Sequence, residues 1–435
     1  MENCQKRLWD KTVKMPVFNE LHGDAQTDVL IIGGGAAGLL CGYFLKKRNI
    51  DYMILEGDRI LSGTTGLTTA KITVQHGLIF NKILSSLGRE AARLYMEANC
   101  EALEFYRELS KAFPCDFEEK DSFVYLTGGR DRLEAETAAV RKIGFPAVMT
   151  SKTELPFKVA GAVKFPNQAQ FNPAKFFSQI ANGLNIYEKT FVRELMPGCA
   201  VTDKGTVKAH KIIVATHFPI LNKHGAYFLK MFQSRSYVIA LKNAQNIEGM
   251  YVDGNNNGLS FRNYKDLLLL GGGGHRTGKK GGNWEELRKF AEKYYPDAVE
   301  EFFWSAQDCM TLDGIPYIGR YSKGSRDIYT ATGFNKWGMT SSMAAALILA
   351  DIVAGVDNKY QKLFSPSRMM LKPQLFINAG EAVINLIGFS RKRCPHMGCR
   401  LKWNSVEHSW DCACHGSRFS ESGKLLDNPS NGDLY

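Results

Sequence analysis

Apolar runs separated by glycine-rich turns near the start of the chain predict a strand, a turn, a helix and a second strand. Residues 27–32 form an apolar run typical of a buried strand, and four glycines follow within residues 33–38. An apolar helix is predicted over residues 39–45, and a short strand over residues 52–55 ends at Glu56. This succession is typical of an α/β fold.

A second set of elements is predicted in the last quarter of the chain. Residues 328–332 are predicted to form a strand, residues 333–340 a glycine-containing turn, and the alanine-rich residues 341–354 a long helix. Six apolar residues then recur at near-helical spacing within residues 372–389: Leu375, Phe376, Ala379, Val383, Ile384 and Ile387. We expect this helix either to dock the end of the chain onto the rest of the protein or a second subunit, or to be a plain core helix.

Length and composition indicate a globular protein of several domains. The 435 residues suggest two or three domains at about 100 to 200 residues each. The most apolar stretch, residues 29–45, is interrupted by glycines and falls short of the roughly 20 residues of a membrane helix. Residues 1–26 are polar, without the apolar core of a signal peptide, so we expect a cytoplasmic location and no membrane span.

The formal net charge of +11 is compatible with a nucleic acid, an anionic substrate or an acidic redox partner. Basic residues are interleaved with acidic ones, and the short basic clusters lack a nucleic-acid-binding module around them. We therefore expect no nucleic-acid partner.

The glycine turn carries the motif G-x-G-x-x-G between the first strand and the helix. In this context Gly33 permits a tight turn, Gly35 lets the backbone approach a pyrophosphate, and Gly38 allows the helix to pack closely on the strand. Glu56 can accept hydrogen bonds from ribose hydroxyls. The alternative is a glycine-rich turn that only packs helix on sheet. The predicted dinucleotide contacts are Gly33, Gly35, Ala36, Ala37, Gly38 and Glu56.

Three further segments resemble those of the D-amino-acid oxidase and sarcosine oxidase family of FAD enzymes, and the resemblance covers roughly residues 28–356. Residues 62–70 are similar to the segment that wraps the flavin, residues 311–319 to the late T-x-D-x-x-P segment, and residues 333–340 to the closing motif. The resemblance implies FAD as the dinucleotide, which the glycine motif leaves open between FAD and NAD. It also implies an α/β fold with a Rossmann-like FAD-binding domain and an interleaved α+β substrate domain.

The same resemblance implies further FAD contacts. They are Gly63, Thr64, Thr65, Thr68, Thr69, Ala70, Gly333, Trp337, Gly338, Met339 and Thr340. In the closing motif, amides at a helix start are expected to face the flavin pyrimidine ring, where a reduced flavin carries negative charge. Taken alone, the hydroxyls of residues 62–70 could cap a helix, and residues 333–340 could be an ordinary turn before a core helix.

The donor site is less specified. Glycine-rich residues 271–280 match neither a second dinucleotide fingerprint nor a phosphate-binding loop, in which Lys280 would have to be Ser or Thr. A flavoprotein reductase with its own NAD(P)H domain normally carries two fingerprints, so we expect a small donor that binds directly over the flavin. By the resemblance, the strands around residues 234–237 and 261–264 belong to the substrate domain. Thr340 stands where sarcosine-oxidase-like proteins have a basic residue, which argues against an amino-acid substrate, and no catalytic residue is identified.

Four of the ten cysteines lie within residues 394–414. The spacings Cys394-x-His396 and Cys412-x-x-His415 resemble a Rieske 2Fe-2S centre, in which two thiolates hold one iron and two imidazoles the other. Zinc is the alternative, because two cysteines and two histidines can bind it tetrahedrally. The order of the ligands favours the Rieske centre, since the ligands of one zinc-finger loop are usually alike.

Resemblance to Rieske domains of the cytochrome bc type implies a disulfide between Cys399 and Cys414. Phe419 stands where a tyrosine would donate a hydrogen bond to a cluster ligand, so a somewhat lower potential is expected. The last residues are expected to form a small all-β module that leans on another part of the protein, because so short a segment cannot build its own core.

These sites predict an FAD-dependent dehydrogenase that oxidises a small donor and passes electrons through the cluster to a protein or small-molecule acceptor. The alternatives are an oxygen-using oxidase with a structural cluster and a redox-sensing protein without turnover. A homo-oligomer is compatible with the sequence. The predicted organisation is an N-terminal arm at 1–24, an FAD-binding domain at 25–90, 165–217 and 308–356, a substrate domain at 91–164 and 218–307, a linker and helix at 357–389, and the Rieske module at 390–435.

Overall fold

The computed structural model describes residues 5–220, 224–255, 258–368, 372–388, 390 and 392–434. Within these residues the strands form three sheets, and strands and helices are numbered below in chain order. Among the described residues, no helix is both long enough and apolar enough to cross a bilayer.

The first sheet contains eight strands in the described residues, with the central order β16-β17-β10-β1-β2-β7. Its strands are β1 (Ala25–Ile32), β2 (Tyr52–Leu55), β7 (Ile186–Tyr187), β8 (Val192–Met196), β9 (Cys199–Thr202), β10 (Gly205–Val214), β16 (Tyr317–Arg320) and β17 (Ile328–Thr332). β1 pairs in parallel with both β10 and β2, and β10 pairs in parallel with β17. β2 is buried throughout, as expected of a parallel sheet that is covered on both faces.

Helices pack around this sheet. Contacts join α1 (Ala36–Lys47) to α7 (Gly338–Val353) and to α4 (Pro173–Ala181). The sequence predicted that the later helix begins at residue 341, but it begins at Gly338. Asn335 and Lys336 adopt left-handed conformations, with φ of 53° and 70°, so the chain turns sharply and the helix can start directly after Trp337.

The second sheet has nine strands in the described residues, with the order β15-β11-β14-β13-β12-β4-β6-β3, and β5 pairs with β6. These strands are β3 (Lys71–Ile72), β4 (Glu118–Leu126), β5 (Val148–Thr150), β6 (Gly161–Gln170), β11 (Met231–Lys242), β12 (Met250–Asp253), β13 (Ser260–Tyr264), β14 (Leu267–Arg276) and β15 (Val299–Thr311). Helices α3 (Arg130–Lys142), α5 (Tyr227–Lys230) and α6 (Trp284–Tyr294) contact this sheet. Helix α2 (Ile79–Ala112) contacts α3 and α7, and α8 (Gln361–Phe364) contacts β16 of the first sheet.

A small antiparallel sheet closes the chain, and α9 (Pro373–Ile387) precedes it. Its strands are β18 (Leu401–Asn404), β19 (Ser409–Cys412), β20 (Arg418–Ser420) and β21 (Leu425–Asp427). The predicted fold class, an α/β protein with a small all-β module, is confirmed. The predicted domain boundaries stay predictions, and those at 164/165 and 307/308 fall inside β6 and β15.

The helix predicted over residues 372–389 is present as α9, but the interpretation of a plain core helix is wrong. Phe376, Val383 and Ile387 are exposed, whereas Asn378 and Asn385 are the buried side chains. Apolar spacing identifies one face of a helix but does not say whether that face points inward.

Candidate functional site

The glycine turn after β1 is held by close backbone contacts. Gly33 has φ of 113°, and a Cβ there would lie 2.5 Å from the carbonyl oxygen of Ala215. A Cβ on Gly38 would lie 1.9 Å from the carbonyl oxygen of Gly33. Only glycine fits at these two positions, and the turn directs the N-terminus of α1 toward a large cavity lined by Gly35.

Glu56 follows β2 and lies beside this turn. Its carboxylate accepts hydrogen bonds from the backbone N–H groups of Gly34 at 2.6 Å and Asp58 at 2.9 Å. Burial raises the pKa of the Glu56 carboxyl, and these two hydrogen bonds offset part of the shift. The group lines the cavity, with acceptor capacity left for hydroxyl groups of a ligand.

The cavity has a volume of about 2000 Å³. That exceeds the roughly 300–1,000 Å³ of usual small-molecule pockets, so it has room for a dinucleotide together with a small donor. Most residues predicted to contact FAD line its wall. These are Gly33, Gly35, Ala36, Ala37, Glu56, Gly63, Thr64, Thr65, Thr68, Thr69, Gly333, Trp337, Gly338 and Met339.

Three predicted contacts do not line the cavity. Gly38 packs beneath the turn, against Gly33. The carbonyl of Ala70 accepts a hydrogen bond from Arg262 at 2.8 Å, and the hydroxyl of Thr340 donates to the carbonyl of Thr73 at 3.1 Å. These three residues support the wall from behind, and the direct contacts of individual residues with FAD stay predictions.

The N-terminus of α7 opens onto the cavity through Gly338 and Met339. Trp337 caps the helix, and the ring of His76 stacks on it with centroids 5.1 Å apart. His76 is further held by the hydroxyl of Tyr95 at 2.6 Å. Burial lowers the pKa of His76 to about 3, so the ring is neutral and serves to fix the tryptophan. The helix N-terminus is thereby positioned to stabilise negative charge in the cavity.

Sequence reasoning missed several titratable residues on the cavity wall, among them His217, Asp308 and Lys336. Nε2 of His217 is buried and has no hydrogen-bond partner in the described part of the chain. Burial lowers the pKa of His217 and of Lys336, and it raises the pKa of Asp308. These residues come from three separate segments. Lys336 lies within the closing motif at residues 333–340, whereas no local motif marks His217 or Asp308.

The four predicted cluster ligands lie on two loops of the small sheet. Cys394 and His396 precede β18, while Cys412 is the last residue of β19 and His415 lies between β19 and β20. The two imidazoles face each other, with Nδ1 atoms 3.2 Å apart. Burial lowers the pKa of His396 to about 3 and of His415 to about 4, so both rings are neutral, as metal ligation requires.

Thiols crowd against these ligands. The Sγ atoms of Cys399, Cys412 and Cys414 lie within 4.8 Å of one another. Hydrogen bonds from Cys394, Cys399 and Cys414 lower the pKa of the Cys412 thiol. Sulfur and imidazole donors that converge from two loops fit a 2Fe-2S cluster. Cys399 and Cys414 are free thiols in this structure, so their disulfide stays a prediction.

The cluster module packs directly on the second sheet through a buried ion-pair network. Glu407 of the module pairs with Arg235 of β11 and, at 2.9 Å, with Arg418. The side chains of Arg235 and Glu407 are 2% and 1% exposed. Arg418 also pairs with Asp411 at 3.0 Å and with Asp427 at 2.9 Å. Complementary charges thus satisfy each other inside the contact.

The cluster loop rests on the same sheet through backbone carbonyls. Arg276 donates to the carbonyls of Ala413 and Cys414, each at 3.0 Å. Gln233 donates to the carbonyl of His415 at 2.8 Å. The loop that carries two predicted cluster ligands is therefore fixed against the wall of the flavoprotein body.

Comparison with known proteins identifies two domains in the chain. Residues 28–352 match the FAD dependent oxidoreductase family and residues 384–434 the Rieske [2Fe-2S] domain. A Bacillus subtilis (strain 168) protein, YhfW, named as a Rieske 2Fe-2S iron-sulfur protein, is 32% identical over 99% of this chain and 97% of its own.

One further similarity covers the FAD-binding part of the chain, and another covers a short segment of the cluster module. The crystal structure of glycine oxidase from Geobacillus kaustophilus has a TM-score of 0.67 at 21% identity, covering 79% of this chain and 99% of that one, which supports the fold. The cytochrome b6-f complex iron-sulfur subunit of Nostoc punctiforme is 43% identical over 37 residues, or 8% of this chain and 21% of its own. The match of residues 384–434 to the Rieske domain contradicts the alternative of a zinc site.

Proposed function

Because this chain belongs to the FAD-dependent oxidoreductase family and carries a Rieske domain, it is an oxidoreductase that binds FAD and a 2Fe-2S cluster, and we propose that it is a dehydrogenase. A small donor is oxidised in the cavity, and electrons leave through the cluster to an external acceptor. When bound, FAD would supply a hydride acceptor for the donor, and a 2Fe-2S cluster would supply one-electron transfer to the acceptor.

Gln307 carries this proposal, because it connects the cavity wall to the cluster loop. Its backbone carbonyl accepts a hydrogen bond from the hydroxyl of Thr64 at 3.1 Å. Its side-chain amide donates to the carbonyl of Gly416 at 2.9 Å. Thr64 lines the cavity, and Gly416 follows the predicted cluster ligand His415. One residue and two hydrogen bonds therefore span the distance between the two cofactor sites.

A second connection runs beside the first. His217 lines the cavity, and the next residue, Phe218, packs on the cluster side. The Phe218 ring centroid lies 6.4 Å from that of His396 and 6.5 Å from that of His415. This arrangement supports electron transfer within one chain. A cluster that served only as a structural staple would not need contact with the donor cavity.

We propose His217 as the group that takes the donor's proton. Its unpartnered Nε2 is buried on the cavity wall, and burial lowers its pKa, so the ring is neutral near pH 7. A neutral imidazole can accept a proton from a hydroxyl or amine as the hydride leaves. A backbone hydrogen bond with Gln307 fixes the ring.

The proposed residues for the cofactors are those of the cavity and the two loops. Glu56 and the N-termini of α1 and α7 would hold FAD, and Cys394, His396, Cys412 and His415 would hold the cluster. Imidazole ligation raises Rieske potentials to about −150 to +300 mV, well above the roughly −400 mV of plant-type ferredoxins. Electrons are therefore expected to run from reduced flavin to cluster.

Flash photoreduction of the flavin under anaerobic conditions tests the proposal without knowledge of the donor. Cluster absorbance should bleach after the flavin is reduced, with a first-order rate that does not change when the protein is diluted. A flavin that stays reduced while the cluster stays oxidised would show that the cluster is structural.

A pair of variants tests the route. Gln307→Leu removes the side-chain hydrogen bond to Gly416 and should slow the transfer several-fold. Gln168→Leu is the matched control, because Gln168 is equally buried but its side chain bonds to residues 73, 74 and 166 and not to the cluster loop. Equal rates in the two variants would contradict the Gln307 route.

A further inference from the structure

Helix α9 turns its polar residues inward. The side-chain oxygen of Asn378 accepts a hydrogen bond from Arg276 at 2.8 Å, and its amide donates to the carbonyl of Leu229 at 3.1 Å. The side-chain oxygen of Asn385 accepts from Arg400 at 3.0 Å. These polar contacts fix the helix to the protein, so its orientation does not depend on burying apolar side chains.

The opposite face of α9 is apolar and exposed. Of the large apolar side chains that are exposed in the described residues, six lie on this helix: Phe376, Ile377, Val383, Ile384, Leu386 and Ile387. Phe376 is 70% exposed and Ile387 is 79% exposed. All six except Leu386 recur at helical spacing. The five form one continuous stripe, called here the α9 stripe. A stripe of this kind on a soluble surface marks an interaction site.

The charges around the α9 stripe are positive. The helix itself contains one charged residue, Glu381, and Lys279 neutralises it at 2.6 Å. Lys372 immediately precedes the helix, and the pair Lys392 and Arg393 follows its end. The stripe is therefore bounded by basic residues at both ends.

The apolar stripe with basic residues at both ends favours one kind of binding partner over another. A second copy of the chain paired through the α9 stripe would bring basic ends against basic ends, in either a parallel or an antiparallel arrangement, and like charges across an interface are costly. An anionic lipid surface satisfies both features, because it takes up apolar side chains and attracts the flanking cations. We propose that α9 is a docking site for the surface of an anionic bilayer.

The helix would lie in the plane of the membrane. Its 15 residues extend over roughly 22 Å, less than the roughly 30 Å of a bilayer core. Its inward face touches the cluster loop, since Sγ of Cys414 lies 3.9 Å from the carbonyl of Glu381. Docking would therefore hold the cluster loop next to the membrane.

Co-sedimentation of the holoprotein with vesicles tests the proposal. Binding is expected to vesicles of phosphatidylcholine mixed with phosphatidylglycerol and to be much weaker to phosphatidylcholine alone. The double variant Ile377→Glu/Ile384→Glu should bind the anionic vesicles at least about tenfold more weakly, because two charges enter the apolar face. Val299→Glu is the matched control, since Val299 is 52% exposed and lies on β15, outside α9.

A charge-reversal variant tests whether the flanking cations contribute to binding of anionic lipid. Lys372→Glu should weaken binding to anionic vesicles, whereas Lys208→Glu, an equal change of net charge at an exposed position of β10, should have a smaller effect. Flavin and cluster absorbance verify that each variant is folded. The proposal is overturned if wild-type protein fails to bind the anionic vesicles, if the double variant binds as well as wild type, or if the stripe instead mediates self-association without lipid binding.

Discussion

At the scale of single residues, Gly38 is the position where the smallest change has the largest expected effect. A Cβ in Gly38→Ala would lie 1.9 Å from the carbonyl oxygen of Gly33, so the turn must open. Overpacking of this kind costs about 1–3 kcal/mol, and here it also displaces the amides that face the cavity. We expect the purified variant to have lost most of its FAD, measured by flavin absorbance per chain.

Gly128→Ala is the matched control for that change. Gly128 does not line the cavity, a Cβ on it meets no atom within 4 Å, and its φ lies outside the positive range that strains a side chain. The variant should keep FAD at the wild-type level. Equal FAD loss in both variants would show that the clash at Gly38 is not what matters.

A second prediction at this scale concerns the predicted cluster ligands. His396→Ala or His415→Ala should abolish the Rieske absorption and electron paramagnetic resonance signals while flavin is retained, because the two cofactor sites are built from separate segments. His408→Asn is the control, since His408 is exposed on the same module and asparagine tolerates its φ of 49°. Loss of flavin together with the cluster would contradict separate sites.

The residues that the sequence could predict are those whose chemistry depends on local spacing. Gly33 and Gly38 belong to one turn, and Cys412 and His415 to one loop. His217 and Asp308 could not be predicted, because they come from distant strand ends that meet only in the folded chain. Their significance arises from burial, which no short pattern encodes.

At the scale of elements, the buried ion pair between β11 and the cluster module should hold the module in place. Glu407→Gln would leave Arg235 and Arg418 without their shared carboxylate. Removing one partner of a buried pair typically costs about 3–5 kcal/mol. We expect faster proteolysis near α9 and earlier loss of the cluster on heating. Glu421→Gln, at an exposed position of the same module, should match wild type.

The ion pairs of Glu407 should also make retention of the cluster depend on pH. Burial disfavours the charged carboxylate, but Arg235 and Arg418 outweigh it and hold the pKa of Glu407 below its usual range. Because the folded pKa is depressed, the stabilisation is complete above the unfolded value of about 4.3 and is lost as pH falls below it. Cluster retention against pH should therefore be flat near neutrality and fall in acid. A loss between pH 6 and 8 would point to a different group.

Helix α9 illustrates what periodicity can and cannot predict about an element. The spacing of Phe376, Val383 and Ile387 correctly predicts a helix. It cannot predict that these side chains face outward, because the direction is decided by Asn378 and Asn385, whose partners come from elsewhere in the chain. Polar contacts over long sequence separations override the usual rule that the apolar face is buried.

At the scale of the whole molecule, the sequence predicts the two cofactor units but not how they meet. Each unit has a local signature, so the α/β body and the all-β module could be recognised separately. Their junction is made by Arg235, Gln233 and Gln307 on long strands of the second sheet. In the sequence these residues resemble ordinary strand positions, and only the fold gives them a role.

The net charge makes the last prediction. A formal charge of +11, which the pyrophosphate of FAD reduces without reversing, should steer anionic acceptors toward the protein and repel cationic ones. Photoreduced protein mixed anaerobically with ferricyanide should reoxidise at a rate that falls as salt is added, and with the tris(phenanthroline)cobalt(III) cation at a rate that rises. Steering effects of this kind span about 10- to 1000-fold at low ionic strength. Cys412→Ser, which lacks a predicted cluster ligand, should be reoxidised more slowly than wild type by both acceptors. If its flavin were reoxidised as fast as that of wild type, electrons would leave directly from the flavin and the cluster would not be their exit.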